Sequence, residues 1–170
     1  MTTMILKALD FAKAKHSGQV RRGSGAPYVT HPIAVSYLVA SYKRSKHLNE
    51  LLVAALLHDT LEDTDTNFVE LASTFSPLVA SLVLELTSDE KEISKVGKNE
   101  YLKKELLGIS SYGLVLKLAD RLHNVTDSPK PAYVKDTIEL MAYIQENRKL
   151  SKTHQAIVAD ILEKCGEQLA

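Results

Sequence analysis

The stretch His58-Asp59-Thr60-Leu61-Glu62-Asp63-Thr64 brings an imidazole and three carboxylates together directly after the apolar run Leu51 to Leu57. On a helix, His58 and Glu62 stand one turn apart, and so do Asp59 and Asp63. Burying these groups unpaired is costly, so they call for hydrogen-bonding neighbours or a cation. Nitrogen and oxygen donors suit a divalent metal such as zinc, manganese or iron.

Two other segments carry compatible groups. Tyr28-Val29-Thr30-His31-Pro32 places a histidine before a proline. Pro32 biases His31 towards an extended conformation and can open the next helix, where a missing N–H costs nothing. Lys117-Leu118-Ala119-Asp120-Arg121-Leu122-His123-Asn124 follows another apolar run, with Asp120 and Asn124 one helical turn apart. His31, His58, Asp59 and Asp120 make a four-ligand set. Two neutral imidazoles and two carboxylates leave a divalent ion neutral overall. A metal in such a set lowers the pKa of a water and polarises a phosphoryl oxygen.

The order H…HD…D resembles the HD superfamily of metal-dependent phosphohydrolases. The flanking residues narrow this. Arg21-Arg22-Gly23, Ala26-Pro27-Tyr28, His31-Pro32, Ala54-Ala55-Leu56-Leu57-His58-Asp59, Glu62-Asp63-Thr64 and the segment Lys117 to Asn124 resemble the hydrolase domain of the RelA/SpoT family. That family handles the alarmones guanosine tetra- and pentaphosphate, (p)ppGpp. The resemblance runs from about Ala8 to about Asn124 and more loosely beyond. It implies His31, His58, Asp59 and Asp120 as metal ligands, usually to manganese, though other divalent ions suit the same donors. It also implies Glu62 and Asp63 as the catalytic acidic pair. Of these, Glu62 is the better placed for the attacking water because it shares a helix face with His58, and Asp63 can instead hold an arginine.

Arg21 and Arg22 match a basic pair lining the family's nucleotide site. A guanidinium there binds phosphate oxygens bidentately or stacks on a purine. Asn124 matches a position near the ribose and phosphates, Arg121 is expected to pair with a carboxylate behind the site, and Lys95 and Lys98 read as a solvated charge run. After Asn124 the chain departs from animal-type small hydrolases, which place an arginine and a tyrosine one turn apart facing the substrate. The register here puts Tyr133 and Thr137 on that face, with Lys135 nearby and no arginine.

The implied reaction removes the 3′-diphosphate of (p)ppGpp as pyrophosphate, giving GDP or GTP. Two rivals keep the same residues. One is a phosphohydrolase for another nucleotide, such as the 2′-phosphate of NADPH or an adenosine alarmone. The other is a module that senses a nucleotide without turnover.

Composition narrows the setting. The 170 residues suffice for one domain, 1–170, and leave no room for the synthetase and regulatory domains of the long family members. The 21 basic and 21 acidic residues balance, which argues against broad nucleic-acid or membrane binding. The expected partner is a small nucleotide, and self-association stays open. Cys165 is the single cysteine, which excludes an internal disulfide and fits a reducing compartment. No apolar run reaches the roughly 18–20 residues a membrane span needs. The start, Met1-Thr2-Thr3-Met4, is followed by Lys7, Asp10, Lys13 and Lys15, unlike a signal peptide. A soluble cytoplasmic protein is expected.

The elements that must position these residues read as helical almost throughout. Apolar spacing predicts helices over Met4–His16, Pro32–Tyr42 and Asn49–Leu61, the last carrying the His-Asp doublet at its C-terminal end. Thr66 is the expected cap of a short helix to Phe75, and Pro77 the first turn of one ending near Leu86. Thr87–Gly97 reads as a loop or lid. Asn99–Leu107 follows, then a break at Ser111-Tyr112-Gly113 before Leu114–Asn124. Tyr133–Asn147 and Ser151–Leu169 finish the chain. His16 and His123 read as supporting or surface residues, and His47 and His154 carry no pattern. With no useful strand alternation, the expected fold is all-α, a single-domain helical bundle of the HD type.

Overall fold

Apolar residues recur at helical spacing along the chain, and the computed structural model is accordingly all-α over residues 2–170, which it describes. Met1, the first residue of the amino-terminal stretch considered above, lies outside them. An isolated bridge pairs Val20 with Pro27. No described helix is long and apolar enough to cross a membrane. The helices gather into two compact units, Met1–Thr87 and Ser88–Ala170.

In the first unit, α1 (Thr2–Lys15), α2 (Thr30–Tyr42) and α6 (Pro77–Leu86) all pack on α3 (Leu48–Leu57). Helix α3 buries Leu51 and every residue from Val53 to Leu57. Each buried leucine or valine there contributes about 1.5–3 kcal/mol. This makes α3 a fixed rod from whose end the next residues project. The short helices α4 (Thr60–Asp63) and α5 (Phe68–Thr74) lie between α3 and α6 in sequence.

The helix expected over Asn49–Leu61 is in fact two, α3 and α4, with His58 and Asp59 at the break. Local side chains explain the interruption. His58 Nδ1 lies 2.8 Å from the Ala55 carbonyl, and Thr60 Oγ1 donates to the Leu57 carbonyl at 2.7 Å. These bonds engage carbonyls that a continuing helix would use. The i to i+4 relation of Asp59 and Asp63 nevertheless survives, with Asp63 N donating to Asp59 O at 2.8 Å. Asn67, not Thr66, caps α5, its side chain accepting from Glu70 N. Thr66 instead pairs with the Thr64 hydroxyl at 2.8 Å. Pro77 takes the first turn of α6 as expected, behind a Ser76 cap.

In the second unit, α9 (Ser111–Thr126) packs against α11 (Lys152–Leu169) and α10 (Pro131–Asn147), and α10 packs on α8 (Lys98–Gly108). The segment read as a loop holds α7 (Glu90–Val96). Asp89 caps it by accepting from Lys91 N and Glu92 N, and Gly97 ends it at φ 85°. Caps outweigh a polar composition here. The expected break at Ser111–Gly113 is instead the first turn of α9, fixed by Ser110 accepting from Gly113 N. His154, which showed no pattern in sequence, forms a capping box with Ser151 and places Nε2 3.0 Å from the Ser111 carbonyl.

Candidate metal centre

Helix α2 begins two residues before Pro32, so His31 lies in its first turn and not in an extended lead-in. A proline is tolerated there because its missing N–H has no intrahelical partner. His31 and His58 are both buried, on α2 and at the end of α3. Their rings meet edge to face with centroids 5.1 Å apart. A ligand atom of each lies within 4.8 Å of the other.

Asp59 lies against both rings. Its Oδ2 sits 3.0 Å from His58 Nε2 and 3.6 Å from His31 Nε2. A carbonyl can only accept, so His58 Nδ1 carries the hydrogen that meets Ala55 O. In the neutral ring, Nε2 then turns a lone pair towards the Asp59 carboxylate. Two electron-rich atoms at 3.0 Å are stable only with a proton or a cation between or beside them. Fixing Nδ1–H on a backbone carbonyl is also how proteins orient metal-binding imidazoles. The donor set therefore fits a divalent metal.

Glu62 and Asp63 follow on α4, each largely exposed, with the Asp63 carboxyl partly enclosed. Asp63 Oδ2 lies 3.3 Å from the Tyr28 hydroxyl. Partial burial raises the Asp63 carboxyl above its usual range, and the charges of Asp59 and Glu62 push the same way, against the Tyr28 hydrogen bond. The Arg21-Arg22 loop is pinned at its base, Arg21 N donating to Ala26 O at 2.8 Å. Arg22 is exposed, while the Arg21 guanidinium lies over the Tyr28 ring at 5.8 Å.

Sequence reasoning assigned Tyr28 no role. The structure has its hydroxyl donating to Asp59 Oδ2 at 2.7 Å, across 31 positions of sequence. The available signal was a phenol three residues before His31, within a motif already noticed. His16, buried against the Tyr28 ring with Nδ1 2.8 Å from Gln19 Oε1, is a supporting residue as expected.

The remaining predicted residues lie in the second unit. Asp120 is partly buried on α9, and Asn124 Nδ2 donates to its Oδ1 at 2.6 Å, one turn on as the spacing predicts. Two readings need correction. Arg121 pairs with the Thr137 hydroxyl at 2.9 Å and stacks over Tyr133, rather than meeting a carboxylate. Thr137 is wholly buried, and its hydroxyl is taken up by donating to Tyr133 O and accepting from Arg121, rather than facing outward from α10. Tyr133, Lys98, Arg121 and Asp136 instead line a cavity of about 380 Å³ within this unit. Lys95 is 72 % exposed beside Glu92, which suits a solvated charge. Cys165 is buried, and burial raises its thiol pKa, as an apolar packing role requires.

Comparisons with known proteins show which family the chain falls in. The model of the HD domain family matches residues 8–148. The chain is 37 % identical over 127 residues to the guanosine-3′,5′-bis(diphosphate) 3′-pyrophosphohydrolase MESH1 of Danio rerio, covering 74 % of this chain and 69 % of that one. It is also 37 % identical over 146 residues to a guanosine-3′,5′-bis(diphosphate) 3′-pyrophosphohydrolase of Aquifex aeolicus, covering 81 % of this chain and a fifth (20 %) of that longer protein. Among solved structures, a metazoan SpoT ortholog described as hydrolysing ppGpp superimposes with a TM-score of 0.79 at 26 % identity, covering 96 % of each chain.

Proposed function

The chain belongs to the HD domain family, and from that premise we propose that it is a metal-dependent (p)ppGpp 3′-pyrophosphohydrolase. It removes the 3′-diphosphate of ppGpp as pyrophosphate to leave GDP, and that of pppGpp to leave GTP. The observation that carries this reading is the convergence of His31 Nε2 and His58 Nε2 on one oxygen of Asp59. Relatives 37 % identical to this chain over most of its length carry that name.

His31, His58 and Asp59 hold the metal, with Asp120 as fourth ligand from its place in the motif order. Manganese is the ion we assign. When bound, the metal supplies Lewis-acid chemistry, acidifying a water and polarising a phosphoryl oxygen. Glu62 takes the proton of the attacking water as its oxygen bonds to the phosphorus on the ribose 3′ oxygen. The bond from that phosphorus to the ribose oxygen breaks, and Asp63 manages the proton the leaving oxygen requires. Arg21 and Arg22 offset the charge that develops on the phosphoryl oxygens. Asn124 both holds Asp120 and contacts the ribose and phosphates. Residues 1–170 act as one hydrolase domain. A cytoplasmic setting fits the single cysteine.

The test is incubation of the purified protein with ppGpp and manganese, followed by anion-exchange separation. GDP and pyrophosphate are the expected products. The buried Thr137 leaves the α10 face without the polar pair of animal-type enzymes, so NADPH and an adenosine alarmone belong in the same assay. Turnover of either in place of ppGpp would reassign the substrate. Metal and nucleotide binding without any product would make the protein a sensor.

A further inference from the structure

Three groups meet one oxygen. Asp59 Oδ2 faces His58 Nε2 at 3.0 Å, His31 Nε2 at 3.6 Å and the Tyr28 hydroxyl at 2.7 Å. The two imidazoles are held independently of that oxygen, His58 by the Ala55 carbonyl and His31 by its buried place in the first turn of α2. Asp59 sits at the break between α3 and α4, where its side chain makes no cap. The phenol anchors it from outside.

Tyr28 is itself held firmly. Its backbone N–H donates to Gln19 O at 2.9 Å, and its carbonyl accepts from His31 N at 2.9 Å. Its ring packs on His16 at 4.8 Å and edge-on to His31 at 5.9 Å. Gln19, which receives the Tyr28 N–H, also donates through Nε2 to the Asp63 carbonyl at 3.0 Å. The loop and the end of α4 are thus tied to each other around the phenol.

We infer that Tyr28 is a positioning residue for the metal centre: its hydroxyl fixes the Asp59 carboxylate in the rotamer that presents Oδ2 between the two histidines. This rests on the metal-centre reading above. A phenol has one proton to give, and the 2.7 Å contact to Asp59 takes precedence over the 3.3 Å contact to Asp63. Hydrogen-bonded ligand carboxylates are a general feature of metal sites, and loss of the supporting partner weakens metal binding about 10–100-fold.

The experiment titrates Mn2+ into metal-stripped parent protein and Tyr28→Phe by calorimetry, then measures kcat and KM for ppGpp across metal concentrations. Phe keeps the ring against His16 and His31 and removes only the hydroxyl. Tyr28→Phe is expected to fold normally, to bind Mn2+ about tenfold more weakly, and to recover kcat at saturating metal. A role confined to packing would leave the Mn2+ affinity unchanged, and that result would overturn the inference. So would an unchanged affinity with a lowered kcat, which would put the hydroxyl on the reacting groups. If the parent protein itself takes up no Mn2+, the metal reading fails, and this inference with it. Tyr28→Ala, which also removes the ring, checks the route: its melting temperature should fall where that of Tyr28→Phe does not.

Discussion

The end of α3 and the interior of α9 present their key carboxylates in opposite ways. On α9 the helix runs unbroken through Asp120, and the residue that holds its carboxylate is Asn124, one turn further along the same helix. At the end of α3 the helix breaks, and Asp59 is held by a phenol 31 residues earlier. Local support is rigid and costs little entropy, because the helix already fixes both partners. Remote support depends on tertiary packing but admits several groups to one oxygen, which a single helix face cannot do.

The largest effect should come from Asp59. Asp59→Ala is expected to abolish manganese binding and hydrolysis together, with metal affinity falling by more than the ~100-fold typical of a lost supporting residue. Metal analysis and the ppGpp assay on one preparation check this. Retention of stoichiometric metal would shift the centre away from the α3 break. Glu62→Gln should spare the metal and lower kcat by about 10²–10⁴-fold. A full rate in that variant would remove Glu62 from the role of base.

Asn124→Ala sharpens the contrast directly. If Asn124 serves chiefly as the anchor of Asp120, the substitution weakens metal affinity by about tenfold. If it serves chiefly the nucleotide, KM rises while the metal titration stays unchanged. The 2.6 Å bond to Asp120 favours the first outcome.

The same contrast explains what could be read from sequence. Helix α9 was legible because its information is local: apolar spacing, and Asp120 and Asn124 at i and i+4. The pairing of His31 with His58 and Asp59 followed from ligand chemistry and motif order. The break in α3 was not legible, because apolar periodicity runs straight through Leu57 and the interruption comes from side chains taking carbonyls. Helix α7 was hidden by its polar composition, since it buries no residue and owes its start to the Asp89 cap. Tyr28 and Arg121 were misjudged for one reason. Their partners, Asp59 and Thr137, are brought to them by folding, and no spacing rule encodes that.

Ser151→Ala probes support of a purely structural kind. Loss of the Ser151 cap on α11 should cost about 1 kcal/mol of stability. Turnover should be unchanged, as measured by denaturant unfolding beside the ppGpp assay. A loss of activity at constant stability would show that the α11 terminus reaches further than its hydrogen bonds indicate.

The smallest expected effect concerns Asp63 in metal-stripped protein. Its carboxyl is raised above the ordinary 3.8, chiefly by burial and then by Asp59 and Glu62. Folding therefore opposes its ionisation. Well below pH 3.8 the carboxyl is protonated in both states and the shift contributes nothing. As pH rises past that value, the unfolded chain loses its proton first, and the folded state is disfavoured until its own raised pKa is passed. The penalty then persists to neutral pH. Asp63→Asn removes the titration and keeps an oxygen for Tyr28, so its melting temperature should exceed the parent's slightly at pH 7 and show no such gain at pH 3. A variant less stable at pH 7 would mean that the negative charge of Asp63 is compensated within the fold. The acidic end of α4 would then be a paired support of the kind found on α9, and not a strained group held ready for chemistry.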